Sequence, residues 1–194
     1  ELLRQCAHPG GAAICGAMLW YPDETIQHAG IVTGLGGYAG HSHKYKKKGG
    51  SGYLFRTSTV QDFSGVTGAC LLVKTAVYDK MHGLDEQFAV AFNDVDFCLR
   101  VRDAGYRIAW TPYAELIHYE SKSRGGDEKD PVKAARFAAE QQRLYTIHGK
   151  ENILDDPYYN PNLTRDREDF SESDDLRRLK EGRVTVRFRG GTLQ

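Results

Sequence analysis

Asp94 and Asp96, preceded by Asn93, head the segment Ala91-Phe92-Asn93-Asp94-Val95-Asp96-Phe97-Cys98-Leu99-Arg100. An ionised carboxylate within hydrogen-bond reach of a hydroxyl can take its proton, which is general-base chemistry. A second carboxylate two positions on suits hydroxyl binding or the anchoring of a loop. A purely structural reading stands beside this one. Asn93 is a good N-cap, Asp96 completes a carboxylate version of the capping box, and acids in a first turn favour the positive end of the helix dipole. Both readings require a helix that starts at Asn93. Val95 and Leu99 give it an inner face, and Gly105 gives it a stop.

Other reactive side chains are scattered along the chain. His41 and His43 lie in residues 34–52, a glycine-rich stretch that also carries Lys46-Lys47-Lys48 and reads as a mobile loop. Two histidines two apart face one side of a strand, but zinc sites need three or four ligands and no further ligand is near in sequence. The lysine run is a solvated face, or a loop that closes over an anionic substrate. Thr67 and Gly68 lie in a small-residue run, where Gly65 and Gly68 allow close backbone approach or tight packing. His118 ends a strand-like segment and leads into the polar loop Glu120-Ser121-Lys122-Ser123-Arg124-Gly125-Gly126, a junction where α/β proteins tend to place sites. A metal hydrolase built on His41, His43 and His118 lacks any nucleophile and base pairing.

The elements that position these residues follow from apolar pattern and punctuation. Residues 1–7 read as the end of a helix, closed by Pro9-Gly10-Gly11. Residues 12–21 form an apolar run without helical period, hence a buried strand, and residues 26–32 a second strand. Residues 69–73 lead into another, followed by a short helix ending at Gly83. Residues 106–110 and 114–119 read as two strands separated by a turn at Thr111-Pro112. Asp130-Pro131 opens a helix that runs to about His148 and stops at Gly149. Beyond Glu151 the periodicity fades. Residues 166–180 are dense in charge and read as loosely packed, and residues 184–188 alternate like a strand without an evident partner.

The totals bound the function class. The chain has 194 residues, 40% apolar and 27% charged, as in an ordinary soluble domain with a real core. Lys plus Arg equals Asp plus Glu at 26 each, so bulk charge points to neither nucleic acid nor a membrane surface. No apolar run reaches membrane-span length. The chain starts without Met, which reads as an excised piece of a longer protein. Cys6, Cys15, Cys70 and Cys98 lack metal-type spacing and read as free thiols in a reducing compartment.

Taken in order, Val66-Thr67-Gly68-Ala69-Cys70-Leu71-Leu72-Val73, His82-Gly83-Leu84-Asp85-Glu86, Phe92-Asn93-Asp94-Val95-Asp96-Phe97-Cys98-Leu99-Arg100, Ala104-Gly105-Tyr106 and His118-Tyr119-Glu120-Ser121 resemble the C-terminal, acceptor-side half of a family 2 glycosyltransferase with the GT-A fold. The bacterial cell-surface polysaccharide type is the nearest likeness, and it covers roughly residues 1–170. Asp156-Pro157-Tyr158-Tyr159-Asn160-Pro161-Asn162-Leu163 is similar to the segment after the catalytic domain in some of these enzymes.

The resemblance implies an α/β fold: a partial GT-A, Rossmann-like mixed sheet flanked by helices, lacking the N-terminal nucleotide-binding half and its Asp-x-Asp motif, with an irregular C-terminal tail. It divides the chain into residues 1–150, part of the glycosyltransferase domain, and 151–194, a tail or linker. It implies transfer, with inversion, from a nucleotide-sugar donor to a hydroxyl of a saccharide or glycolipid acceptor. Asp94 would be the general base; Asn93, Asp96, Thr67, Gly68, Lys122, Ser123 and Arg124 would contact substrate. Asn93 stands where the family carries Glu. His118 matches the histidine that completes a divalent metal shell, with Mn²⁺ suiting imidazole better than Mg²⁺. The Gln-x-x-Arg-Trp motif of processive members is absent, which implies transfer of one or few sugars. The likeness implies a cytoplasmic protein, at most at the inner face of the plasma membrane, with no nucleic-acid partner, and a 194-residue piece inactive by itself because one half-site cannot position two substrates. The competing hypothesis is a non-catalytic carbohydrate-binding or scaffold module that retains GT-A remnants.

Overall fold

The computed structural model describes residues 1–119, 130–174, 186–188 and 191–193. It is a mixed sheet flanked by helices. The elements are α1 (Leu2–Ala7), β1 (Ile14–Trp20), β2 (Ile26–His28), β3 (Ile31–Thr33), β4 (Ala39–His41), β5 (Gln61–Asp62), β6 (Leu71–Val73), α2 (Thr75–Lys80), α3 (Asn93–Asp103), β7 (Ile108–Ile117), α4 (Pro131–His148), α5 (Lys150–Leu154), β8 (Val186–Phe188) and β9 (Gly191–Leu193).

The apolar run at the start becomes β1, buried at every one of its seven positions, as expected of a strand covered on both faces. One face, through Ile14 and Met18, joins the main core with Phe63, Val66, Phe97 and Trp110. The other, through Cys15, packs with Cys6 of α1, Ala12 and Ala109. The strand order is β2-β1-β7-β5, and β6 also pairs with β1. β7 runs parallel to β1; β2, β5 and β6 pair antiparallel. Gly16 lies on β1 where an added Cβ would fall 2.5 Å from Cβ of Val66. Glycine there lets the small-residue run cross the strand in contact.

Three sequence expectations are corrected. Residues 26–32 form two strands: the chain turns at Ala29-Gly30, and Gly30 takes φ +97 against the ring of Phe63. Residues 106–110 and 114–119 join one strand: the register against β1 jumps from Ala17–Thr111 to Met18–Glu115, so Pro112, Tyr113 and Ala114 form a bulge and pairing resumes beyond it. The stretch 34–52 is ordered: β4 pairs with β3, and Ser42 and His43 are buried.

The C-terminal segment docks more closely than its charge suggests. Tyr159, Leu163 and Phe170 enter the main core, and Asp156, buried, accepts from Thr33 N at 2.7 Å and Tyr158 N at 2.7 Å. The loose packing read for residues 166–180 therefore does not hold around Phe170. β8 has a partner after all, a hairpin with β9. The four cysteines are unpaired, and burial pushes the thiols of Cys15 and Cys98 up to about 12. Among the described residues no helix is long and apolar enough to cross a membrane.

Candidate functional site

The acidic segment does start a helix, one residue from where cap preferences put it. Phe92, at φ 62, is the N-cap, and Asn93 is the first helical residue. Asn93 Oδ1 accepts the Asp94 N–H at 2.7 Å, so its side chain still satisfies a first-turn donor. The left-handed backbone at Phe92 is uncommon for a bulky residue. Here it is held from both sides. Asp96 N donates to Phe92 O at 2.8 Å, and Glu140 of α4 accepts the preceding N–H groups of Val90 at 3.1 Å and Ala91 at 2.9 Å.

Asp94 is half-buried, and each of its oxygens is oriented. Oδ2 accepts Gly68 N at 2.8 Å and Oδ1 accepts Val95 N at 2.9 Å. The structure thus brings Gly68 to Asp94. Thr67 is buried, and its N–H lies 3.4 Å from His28 Nε2. Asp94 opens onto a cleft of about 400 Å³ whose lining includes Asn93, Phe92, Phe137, His41, Lys44 and Glu168.

Asp96, expected to bind acceptor hydroxyls or to hold the loop, lies inside the protein. It is 1% exposed. Arg100 holds its Oδ2 through Nε at 2.9 Å and Nη2 at 2.8 Å, and His148 Nε2 meets its Oδ1 at 2.8 Å. Burial pushes this carboxyl up, but the hydrogen bonds and charges of His148 and Arg100 outweigh burial and lower it below 3.8. Both oxygens are taken by protein partners. Arg100 also donates to the carbonyls of Met81 and Gly83, so Asp96 anchors the turn after α2.

The histidines separate into two roles. His43 is packed away: Ser42 Oγ lies 2.6 Å from Nδ1, Tyr53 N donates to Nε2 at 3.0 Å, and the ring stacks on Phe170. Burial, with Lys46 and Arg56 nearby, lowers its pKa to about 3. His28 and His41 form a pair at the cleft wall with Nδ1 atoms 2.9 Å apart. His28 Nε2 faces the N–H groups of Gly30 at 3.3 Å and Thr67 at 3.4 Å. That nitrogen therefore acts as acceptor, and His28 Nδ1 carries the proton toward His41. Burial, then His41 and His118, lower His28 well below 6.5.

His118 is half-buried, and its Nδ1 is enclosed without a hydrogen-bond partner among the described residues. A vacant imidazole nitrogen suits one metal bond. Among the described residues, however, no three His, Cys, Asp or Glu stand together to hold an ion, so these residues do not make a metal site by themselves. Lys122, Ser123 and Arg124 lie outside the described residues. Glu140, Glu168 and His148 did not stand out in the sequence. Each is an ordinary polar residue on a helix or in a charged stretch, and only the fold turns it inward.

Comparison with known proteins adds relatives. The chain is 47% identical over 171 residues to "Uncharacterized protein y4gI" of Sinorhizobium fredii, covering 88% of this chain and 18% of that protein. It is 34% identical over 165 residues to "O-antigen biosynthesis protein RfbC" of Myxococcus xanthus, covering 84% of this chain and 12% of that one. An 80-residue portion is 32% identical to "N-acetylglucosaminyl-diphospho-decaprenol L-rhamnosyltransferase" of Mycobacterium tuberculosis, 41% of this chain and 24% of that enzyme. The chain thus spans less than a quarter of each of these curated relatives. No family model matches, and no solved structure matches.

Proposed function

We propose that this chain is the acceptor-side part of an inverting glycosyltransferase of bacterial surface-polysaccharide synthesis, of the family 2, GT-A type, with Asp94 as general base. The observation that carries the reading is the setting of Asp94. Two backbone N–H groups orient its carboxylate at the mouth of a cleft that is partly aromatic and partly polar, which is the lining sugar-sized ligands take. The names of two relatives, in O-antigen biosynthesis and rhamnosyl transfer, support sugar transfer at the family level.

In this mechanism an acceptor hydroxyl enters the cleft beside Asp94. The carboxylate accepts its proton as the oxygen attacks the anomeric carbon of a nucleotide sugar, and the nucleoside diphosphate leaves with the bonding electrons. Asn93 and Gly68 position the base through its backbone contacts. A divalent ion, when bound, would neutralise charge on the diphosphate. His118 is the described residue put forward as one of its ligands, and the proton transfer at Asp94 does not run through that ion. Lys122, Ser123 and Arg124 are proposed to close over the diphosphate, Arg124 by bidentate contact. The site is proposed to face the cytoplasm.

The test is sugar transfer by the full-length protein across a panel of nucleotide sugars, with and without Mn²⁺. Asp94→Asn is expected to lower transfer by about 10²–10⁴-fold while donor binding stays unchanged. A variant that keeps most of its turnover removes Asp94 as the base. Donor or saccharide binding without turnover in the wild-type protein favours the non-catalytic carbohydrate-binding module.

A further inference from the structure

The cleft beside Asp94 does not end at Phe92. A second hollow of about 320 Å³, with Tyr38, Gln141, Asp166 and Arg167 in its lining, shares Ala39, Gly40, Phe92, Phe137 and Glu168 with the first. The two meet over Gly40. Each is within the size range of small-ligand pockets, about 300–1,000 Å³.

Glu168 marks the junction, and the backbone is built to hold it there. Its Oε1 accepts the His41 N–H at 2.8 Å, and its own carbonyl accepts the His43 N–H at 2.9 Å. A Cβ on Gly40 would lie 2.6 Å from that same Oε1 and 2.9 Å from Leu35 Cβ. Gly40 has no left-handed φ to account for it, so space is the reason for glycine: the carboxylate lies across β4 where a side chain would be. Opposite stands an aromatic wall. The rings of Phe92 and Phe137 are 5.4 Å apart at 36°, and Phe137 remains 38% exposed. Phe137 therefore presents part of its ring to both hollows.

We infer that the cleft continues past Asp94 into a second sugar subsite, so that the acceptor is an uncharged glycan chain of at least two sugar rings. This rests on the sugar-transfer reading above and narrows its acceptor. A sugar ring has an apolar C–H face, which the Phe92 and Phe137 rings cover, and an edge of hydroxyls that need acceptors and donors. Glu168 supplies a fixed acceptor, and Gln141 supplies both. The ring that reacts lies at Asp94, and the next lies over Glu168. A lipid diphosphate next to the reacting sugar fits poorly here. It would bring phosphate charge against Asp94, Asp166 and Glu168, three carboxylates that share the lining with Lys44 and Arg167 among the described residues. The transfer served is chain extension, and another transferase must have placed the preceding sugar.

The experiment is saturation-transfer NMR and affinity measurement on the purified wild-type chain without donor. The probes are the methyl glycosides of rhamnose, galactose and N-acetylglucosamine, disaccharides built from these units, and N-acetylglucosamine 1-diphosphate. At least one disaccharide is expected to bind about tenfold tighter than its one-ring counterpart, with saturation on both rings. Gln141→Ala and, separately, Arg167→Ala, which line only the second hollow, are expected to remove the second ring's saturation and most of that gain, and to leave methyl-glycoside affinity within twofold. Equal binding of one-ring and two-ring probes overturns the second subsite and leaves the sugar-transfer reading standing. So does tightest binding by the diphosphate, or an unchanged two-ring map in both variants. Binding of none of the saccharides overturns both.

Discussion

Asp96 and His148 are 52 positions apart and meet at 2.8 Å, with side chains 1% and 5% exposed. The contact ties the first turn of α3 to the last turn of α4, so the helix that carries Asp94 cannot shift without moving α4. Removing Asp96 leaves the Arg100 guanidinium and the His148 ring without their buried acceptor. Asp96→Ala is therefore expected to cost about 3–5 kcal/mol, read as a lower urea midpoint. Acid should have the same effect later. The folded carboxyl lies below 3.8, so its contribution is complete above pH 3.8 and is lost as pH falls through the folded value. The variant should lose this limb of the pH–stability curve. A midpoint within experimental error of wild type would refute the anchoring role.

His43 and His28 impose an earlier acid limit. His43 is held to about 3, and His28 lies well below 6.5. Unfolding frees both to take up protons near pH 6.5. Stability therefore rises with pH across the interval from about 3 to 6.5 and falls as acid is added, by on the order of 1.4 kcal/mol per pH unit for His43, with His28 acting in the same direction below 6.5. Urea midpoints between pH 7 and 5 should drop with an unchanged m-value. His43→Gln should reduce the slope by about one proton. A slope equal to that of wild type would mean that His43 is not kept neutral by the fold.

Glu140 positions the segment ahead of Asp94 without touching the cleft floor. Its two oxygens accept Val90 N and Ala91 N from a site 4% exposed. Glu140→Gln puts an amide N–H against a backbone N–H, and the unsatisfied group should cost about 1–3 kcal/mol. Faster amide exchange should be confined to residues around Val90 and Ala91. Transfer by the full-length protein is expected to fall about tenfold in kcat with donor KM unchanged, because Asp94 loses its alignment. Unchanged exchange at those two amides would remove Glu140 from this role.

The elements around Asp94 were legible where local chemistry decides them. Asp130 caps α4 by accepting Val132 N at 2.9 Å, with Pro131 at N1 and Gly149 at the end, as the pattern requires. The apolar run of β1 likewise had one outcome. What stayed hidden depends on distant partners. Glu140 and His148 are polar residues on a helix and read as solvent-facing, yet their partners are 50 and 52 positions away. Residues 34–52 read as mobile because glycine and lysine dominate. Their order comes from Glu168 and Phe170, which pack on them from the C-terminal segment. A bulge such as that at Pro112 looks in sequence like the turn between two strands, since both interrupt alternation in the same way.

Phe170 decides whether the C-terminal segment belongs to the folded unit. It is 5% exposed, takes φ 59, and packs against His43, Tyr53 and Tyr159. The same segment carries Glu168 to the cleft, so docking and the acceptor wall are one structure. Phe170→Ala should cost about 3–5 kcal/mol if the ring is core. It should also release the segment: trypsin should cut after Arg165 and Arg167 in the variant much sooner than in wild type. Binding of a two-ring saccharide should weaken along with docking, while the rest of the sheet keeps its amide protection. If the variant unfolds as a whole, Asp156→Asn offers a milder test, because it weakens the hydrogen bonds to Thr33 and Tyr158 and leaves the aromatic cluster in place. Cleavage after Arg165 at the wild-type rate in both variants would show that the segment is held by something other than these contacts.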